Sequence, residues 1–120
     1  MTSPLHRPIC DLLGCTYPIV LAGMGGITRS EVVAAVTEAG GFGFLGLVRE
    51  TVELIRSEVA AVRARGIEHF DVNLIPGATD PALLEEQVSA CVDLGVPVVG
   101  LFWDVSLRLV ARLRADRSAR

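Results

Sequence analysis

A chain of 120 residues is long enough for one domain with a true core, and 51% hydrophobic against 21% charged residues is the balance of a globular protein. The formal net charge of −3 leaves no basic footprint for nucleic acid, so no nucleic-acid partner is expected; all 11 cationic residues are arginine, which excludes a lysine Schiff base and a P-loop lysine from this chain. No apolar run is long enough to span a bilayer, and residues 1–8 lack the apolar stretch of a signal peptide, so a cytoplasmic protein without a membrane partner is expected.

After a polar lead-in to Pro8, Ile9 to Gly14 reads as a short turn or helix. Pro18 to Ala22 is the first strand, and it delivers the glycine-rich stretch Gly23-Met24-Gly25-Gly26 to a helix start. Such a loop brings backbone close to a ligand and offers unpaired N–H groups to an anion; a tight strand-to-helix turn is the equal alternative. Thr28 and Glu31 have capping-box spacing, Val32, Val33, Val36 and Ala39 form the expected inward stripe, and Gly40 is the C-cap.

Gly41 to Val48 is the second strand. Its Gly41-Phe42-Gly43-Phe44-Leu45-Gly46 matches the dinucleotide string G-x-G-x-x-G, but the glycines fall inside the strand rather than after it, so close backbone packing is the better reading. Thr51 to Arg65 is a helix with Val52, Ile55, Val59 and Val62 on one side. His69 to Ile75 alternates Phe70, Val72 and Leu74 against Asp71 and Asn73, a half-buried strand. Asp80-Pro81 opens a third helix, with Leu84, Val88, Cys91 and Val92 inward. Val96 to Trp103, nearly all apolar, reads as a strand covered on both faces. Ser106 caps a last amphipathic segment, whose pattern decays from Arg114 onward.

Strands starting near 18, 41, 69 and 96 are spaced 23, 28 and 27 residues apart, which gives four parallel βα units and the α/β class. Such units build an open doubly wound sheet or a (β/α)8 TIM barrel; a barrel needs roughly 250 residues, so this chain supplies about the first four of eight units.

Parallel α/β folds place their sites at the carboxyl ends of the strands. Those ends hold Ala22 to Gly26, Gly46-Leu47, Asn73 and Phe102-Trp103-Asp104. The Met24 thioether suits either a flat ring or the top of the core. Asn73 can donate and accept at once, toward a heterocycle, a phosphate or the next loop. Asp71 on the same face is expected to pair with an arginine. Trp103-Asp104 reads as core packing plus a turn residue, with a pocket wall as the alternative. His6 falls in the solvated lead-in and His69 at the far end of its strand, so neither is placed as a catalytic base, and no catalytic residue is assigned. Cys10, Cys15 and Cys91 lack C-x-x-C spacing, so no metal site is expected; Cys10 and Cys91 read as buried apolar groups.

The runs Pro18 to Gly26 and Glu31 to Gly43 resemble the opening of the nitronate monooxygenase family, relatives of the flavin-type enoyl-acyl-carrier-protein reductases. Asp71-Val72-Asn73-Leu74 and Val96 to Trp103 are similar to that family's third and fourth strands. The resemblance implies an FMN-binding TIM barrel that oxidises alkyl nitronates with dioxygen. It also implies cofactor contacts at Ala22, Gly23, Met24 and Asn73. Family members often have proline where Gly23 stands, which predicts a looser loop here. The family's glycine-rich phosphate segments and usual catalytic histidine belong to the second half of the barrel. The expectation is therefore an N-terminal fragment or shortened product that alone binds flavin poorly. The alternatives are an enoyl reductase using a reduced nicotinamide, or an inactive half-barrel that pairs two copies to close eight strands.

Overall fold

The computed structural model describes residues 3–118. A short helix α1 (Pro8–Leu13) precedes an alternation of strands and helices: β1 (Val20–Leu21), α2 (Ser30–Glu38), β2 (Phe42–Gly46), α3 (Val52–Arg63), β3 (Asp71–Leu74), a 3-10 turn Pro76–Ala78, α4 (Pro81–Asp93), β4 (Val98–Leu101) and α5 (Leu107–Ser118). The strands form one parallel sheet in the order β1-β2-β3-β4.

Local chemistry explains most of the boundaries. The Thr51 hydroxyl accepts from Leu54 N at the start of α3, and the Asp80 carboxylate accepts from Ala82 N and Leu83 N at the start of α4, with Pro81 at the first helical position. After α2, Gly40 takes φ +100°, a conformation glycine adopts without the Cβ clash other residues suffer.

Register then sorts the side chains by face. Phe44 pairs with Asp71 and Asp71 with Val98, while Gly46 pairs with Asn73 and Asn73 with Gly100, so these residues share one face of the sheet. The opposite face sends Leu45, Val72 and Leu74 into the main core, where they meet Val33 of α2, Ile55, Val59 and Val62 of α3, Val88 and Cys91 of α4 and Leu109 of α5. Each fully buried side chain of this size contributes about 1.5–3 kcal/mol. A smaller cluster of Cys10, Cys15 and Phe42, backed by Leu13, Phe44 and Val98, fills the other face near the amino ends of the strands. Cys10 and Cys91 are buried as expected.

Several expectations are corrected. α2 begins at Ser30, with no side-chain cap from its N-cap residue Arg29, and Val32 stays 40% exposed while Val33 and Ala34 are fully buried. Of the expected stripe Val33 is buried and Val36 half-buried, while Val32 and Ala39 are exposed and Ala34 is buried instead. β1 keeps only two ladder residues, because the chain after Leu21 turns inward against β2. β4 is half-buried along its whole length rather than covered, since among the described residues it has a neighbour on one side only. α5 continues past Arg114 to Ser118.

Candidate functional site

The loop leaving β1 is clamped by a single buried threonine. Thr28 Oγ1 accepts from Met24 N at 2.8 Å and donates to Met24 O at 3.1 Å, while Ile27 N and Thr28 N both donate to that same carbonyl. Thr28 is therefore a loop clamp and not half of a capping box. The loop lies directly on β2: Gly46 N donates to Thr28 O at 3.0 Å, and a Cβ at Gly46 would overlap the Met24 carbonyl. Gly43 similarly lies under Val33, so the glycine alternation in β2 is close packing, as its position inside a strand predicted.

Asn73, at the carboxyl end of β3, reaches across to this loop. Its Nδ2 donates to Gly23 O at 3.4 Å, and a Cβ at Gly23 would stand 2.6 Å from Asn73 Cβ. The glycine at position 23 thus allows the contact, and the loop is held rather than loose. Gly100 continues the same surface on β4. Ala22 and Met24 are exposed, Met24 by 43%, and Asn73 is 7% exposed. The predicted contact residues Ala22, Gly23, Met24 and Asn73 are therefore brought to one rim.

At the end of β4, Trp103 is not core. It is 78% exposed, takes φ +66°, and lies against Phe102 with ring centroids 5.3 Å apart. A bulky residue in the left-handed region is strained by about 1–3 kcal/mol, a feature that recurs at binding rims. Phe102 N donates to Leu74 O, which fixes the aromatic pair beside the end of β3.

The helix starts at this end are already capped by the protein. Ser30 N donates to Glu58 Oε2 at 2.6 Å, so a carboxylate from α3 occupies the start of α2. Thr51, Asp80 and Ser106 cap α3, α4 and α5 with their own side chains. An incoming phosphate would meet the Glu58 carboxylate beside the first N–H of α2.

One layer below Asn73 lies a group that sequence reasoning misjudged. Asp71 is fully buried, and among the described residues neither carboxylate oxygen has a hydrogen-bond partner and no arginine reaches it. Burial alone pushes its carboxyl up to about 8, so it holds a proton at neutral pH. Gly100 makes its room: a Cβ there would stand 2.9 Å from Asp71 Oδ2. Gln87, also fully buried, donates from Nε2 to Leu47 O and Glu50 O and so ties α4 to the loop after β2. Its only sequence signal is a polar residue on the apolar stripe of α4, beside Leu84, Val88 and Cys91.

The histidines lie at the opposite end. His69 abuts Gly14, and His6 is not simply solvated but pairs with Asp11 at 2.8 Å. Burial raises the Cys91 thiol to about 12 and also raises Cys15, which leaves both unreactive near neutrality. Among the described residues no group of three acidic, histidine or cysteine side chains is placed to hold a metal, and no helix is long and apolar enough to cross a membrane.

A parallel four-strand βα array with its glycine loop, asparagine and aromatic pair at the carboxyl ends of the strands defines the class: four units of a (β/α)8 barrel with its rim. The nitronate monooxygenase family profile matches residues 6–101, and the chain belongs to that family. It is 29% identical over 110 residues to a hydroxy-methyl-oxo-octahydroindene-carboxyl-CoA dehydrogenase of Mycobacterium tuberculosis, covering 92% of this chain and 30% of that protein. It is 38% identical over 74 residues to the nitronate monooxygenase of Pseudomonas aeruginosa, covering 59% and 21% respectively. Among solved structures, FabK of Thermotoga maritima superposes with a TM-score of 0.82 at 27% identity, over 92% of this chain and 35% of that one. Nitroalkane oxidase of Streptomyces ansochromogenes superposes with a TM-score of 0.75 at 26% identity, over 90% and 40%. The chain thus spans between 21% and 40% of the length of these relatives.

Proposed function

We propose that this chain carries the isoalloxazine-facing half of an FMN-dependent oxidoreductase site of the nitronate monooxygenase type, acting on alkyl nitronates with dioxygen. The observation that carries the reading is the rim in which Asn73 holds the Gly23 carbonyl and leaves Ala22 and Met24 exposed beside it. The residues suit a flat ring: glycine backbone for close approach, an amide for a heteroatom edge, and a thioether and aromatic pair as apolar walls. They do not suit a phosphate, because the described helix starts at this end are capped from within.

When bound, FMN supplies the two-electron chemistry that oxidises the nitronate and reduces dioxygen. The chain's own contribution is positional. Thr28 fixes the loop, Asn73 sets its distance from β3, and Met24, Phe102 and Trp103 stand exposed as apolar groups for a flat ring to cover.

Two assays on flavin-supplemented protein test the reading. Nitronate-dependent oxygen uptake that falls at least tenfold in Asn73→Ala supports it. Oxidation of a reduced nicotinamide driven by an enoyl thioester, without nitronate-dependent oxygen uptake, overturns it in favour of the FabK-like activity.

A further inference from the structure

Two of the chain's three free thiols, Cys10 and Cys15, lie together near the amino ends of the strands, at the far end from the rim. A local turn brings them there. Gly14 takes φ +72° after α1, and Gly14 N and Cys15 N both donate to Cys10 O, at 2.8 and 3.0 Å. A helix that ends this way folds the residue after its left-handed glycine back onto the residue five positions earlier. Both side chains then pack with Phe42, Cys10 1% and Cys15 9% exposed.

The closed pair is inert. Burial, and after it the adjacent Cys10 side chain, holds Cys15 in the thiol form near neutrality. Access to the sulfurs depends on α1, and α1 is weakly held. It has six residues, its N-cap Arg7 makes no side-chain capping bond, and Cys10 is its only buried residue; Leu12 is 77% and Ile9 44% exposed. So short a helix has little stability of its own, and it opens at a fraction of the cost of global unfolding. Opening bares both sulfurs at once, on a tether of a few residues.

We propose that Cys10 and Cys15 form a reversible disulfide when the chain meets a hydroperoxide, a modification site built into the turn after α1. With α1 open, one sulfur attacks the peroxide and the O–O bond breaks. That sulfur becomes a sulfenic acid, and the peroxide leaves as an alcohol, or as water where it is hydrogen peroxide. The second thiol attacks the sulfenic sulfur, the S–S bond forms and water departs. Two electrons pass from the pair of sulfurs to the peroxide, and both thiol protons leave on the released oxygens. Thr16 N and Tyr17 N donate to Gly40 O, so Cys15 belongs to a segment fixed against the end of α2 and leading into β1. The new bond fastens α1 to that segment and restrains the opening that admitted the peroxide. Cys91 lies in the main core on the other face of the sheet, with Val88 of α4, and stays a thiol. The inference rests on the turn and its cluster, not on the nitronate reading.

Hydrogen peroxide in excess over the folded, reduced 120-residue chain tests it, read by intact mass, alkylation of the remaining thiols and peptide mapping. The expected product has lost two hydrogen atoms, carries one Cys10–Cys15 disulfide, keeps Cys91 as a thiol and retains its helical circular dichroism. Dithiothreitol should restore the starting mass. Cys10→Ser should form no disulfide and instead hold a peroxide oxygen on Cys15, where dimedone traps it. If that variant fails to fold, the wild-type map decides alone. Survival of all three thiols overturns the proposal, as does a disulfide that includes Cys91 or joins two chains. So do sulfinic acid at either cysteine in place of the disulfide, and oxidation that proceeds only with loss of circular dichroism.

Discussion

A carboxyl group buried without a hydrogen-bond partner is among the costliest things a fold can hold, and Asp71 is one. Its folded pKa, about 8, lies above the unfolded value near 3.8, so the native state binds the proton more tightly. Stability is then greatest below about pH 4 for this group and falls as pH rises toward 8, by up to about 1.4 kcal/mol per pH unit. Asp71→Asn removes the ionisation, and its urea midpoint should lose most of the decline seen in the wild type between pH 5 and 8. A midpoint in the variant that falls as steeply would show that another group carries the slope. Gly100 belongs to the same account. Gly100→Ala should destabilise by about 1–3 kcal/mol through overpacking against the carboxyl, and by clearly less in an Asp71→Gly background. Chemical denaturation of the two singles and the double measures that coupling. From the sequence, Asp71 was legible as a polar residue on a half-buried strand. That it has no partner was not, because satisfaction depends on what the opposite wall supplies.

Among the elements, the caps show why some helix starts were readable and one was not. Thr51, Asp80 and Ser106 act on backbone two or three residues away, and local spacing reveals them. The start of α2 is held by Glu58, 28 positions along the chain, and the Thr28–Glu31 spacing pointed elsewhere. Thr28 was spent on the loop instead. Glu58→Ala should therefore destabilise the chain by about 1–2 kcal/mol, since it frees an N–H and removes a carboxylate from a helix N-terminus. Phosphate or sulfate should then restore part of the loss in the variant and stabilise the wild type far less. Thermal melts with and without ~50 mM phosphate check it. Equal responses in both proteins would mean that Glu58 does not block the site.

For the whole molecule, the repeat spacing was enough to give four parallel units, and the carboxyl-end rule was enough to place Gly23, Met24 and Asn73 on one rim. The burial of β4 was not legible, because an apolar strand reads the same whether its neighbour is present or lies outside the chain. The same asymmetry governs the cofactor. A rim that fits a ring but has no open helix start should bind flavin weakly and without regard to its phosphate. Trp103 is the only tryptophan and stands on that rim, so its emission reports occupancy directly. Titration with FMN and with riboflavin should give dissociation constants within about threefold of each other, because a phosphate meeting no charge-assisted hydrogen bond adds little affinity. FMN binding more than tenfold tighter than riboflavin, or protein purified with stoichiometric flavin, would place a phosphate site among these residues and contradict the division of the site argued from the caps.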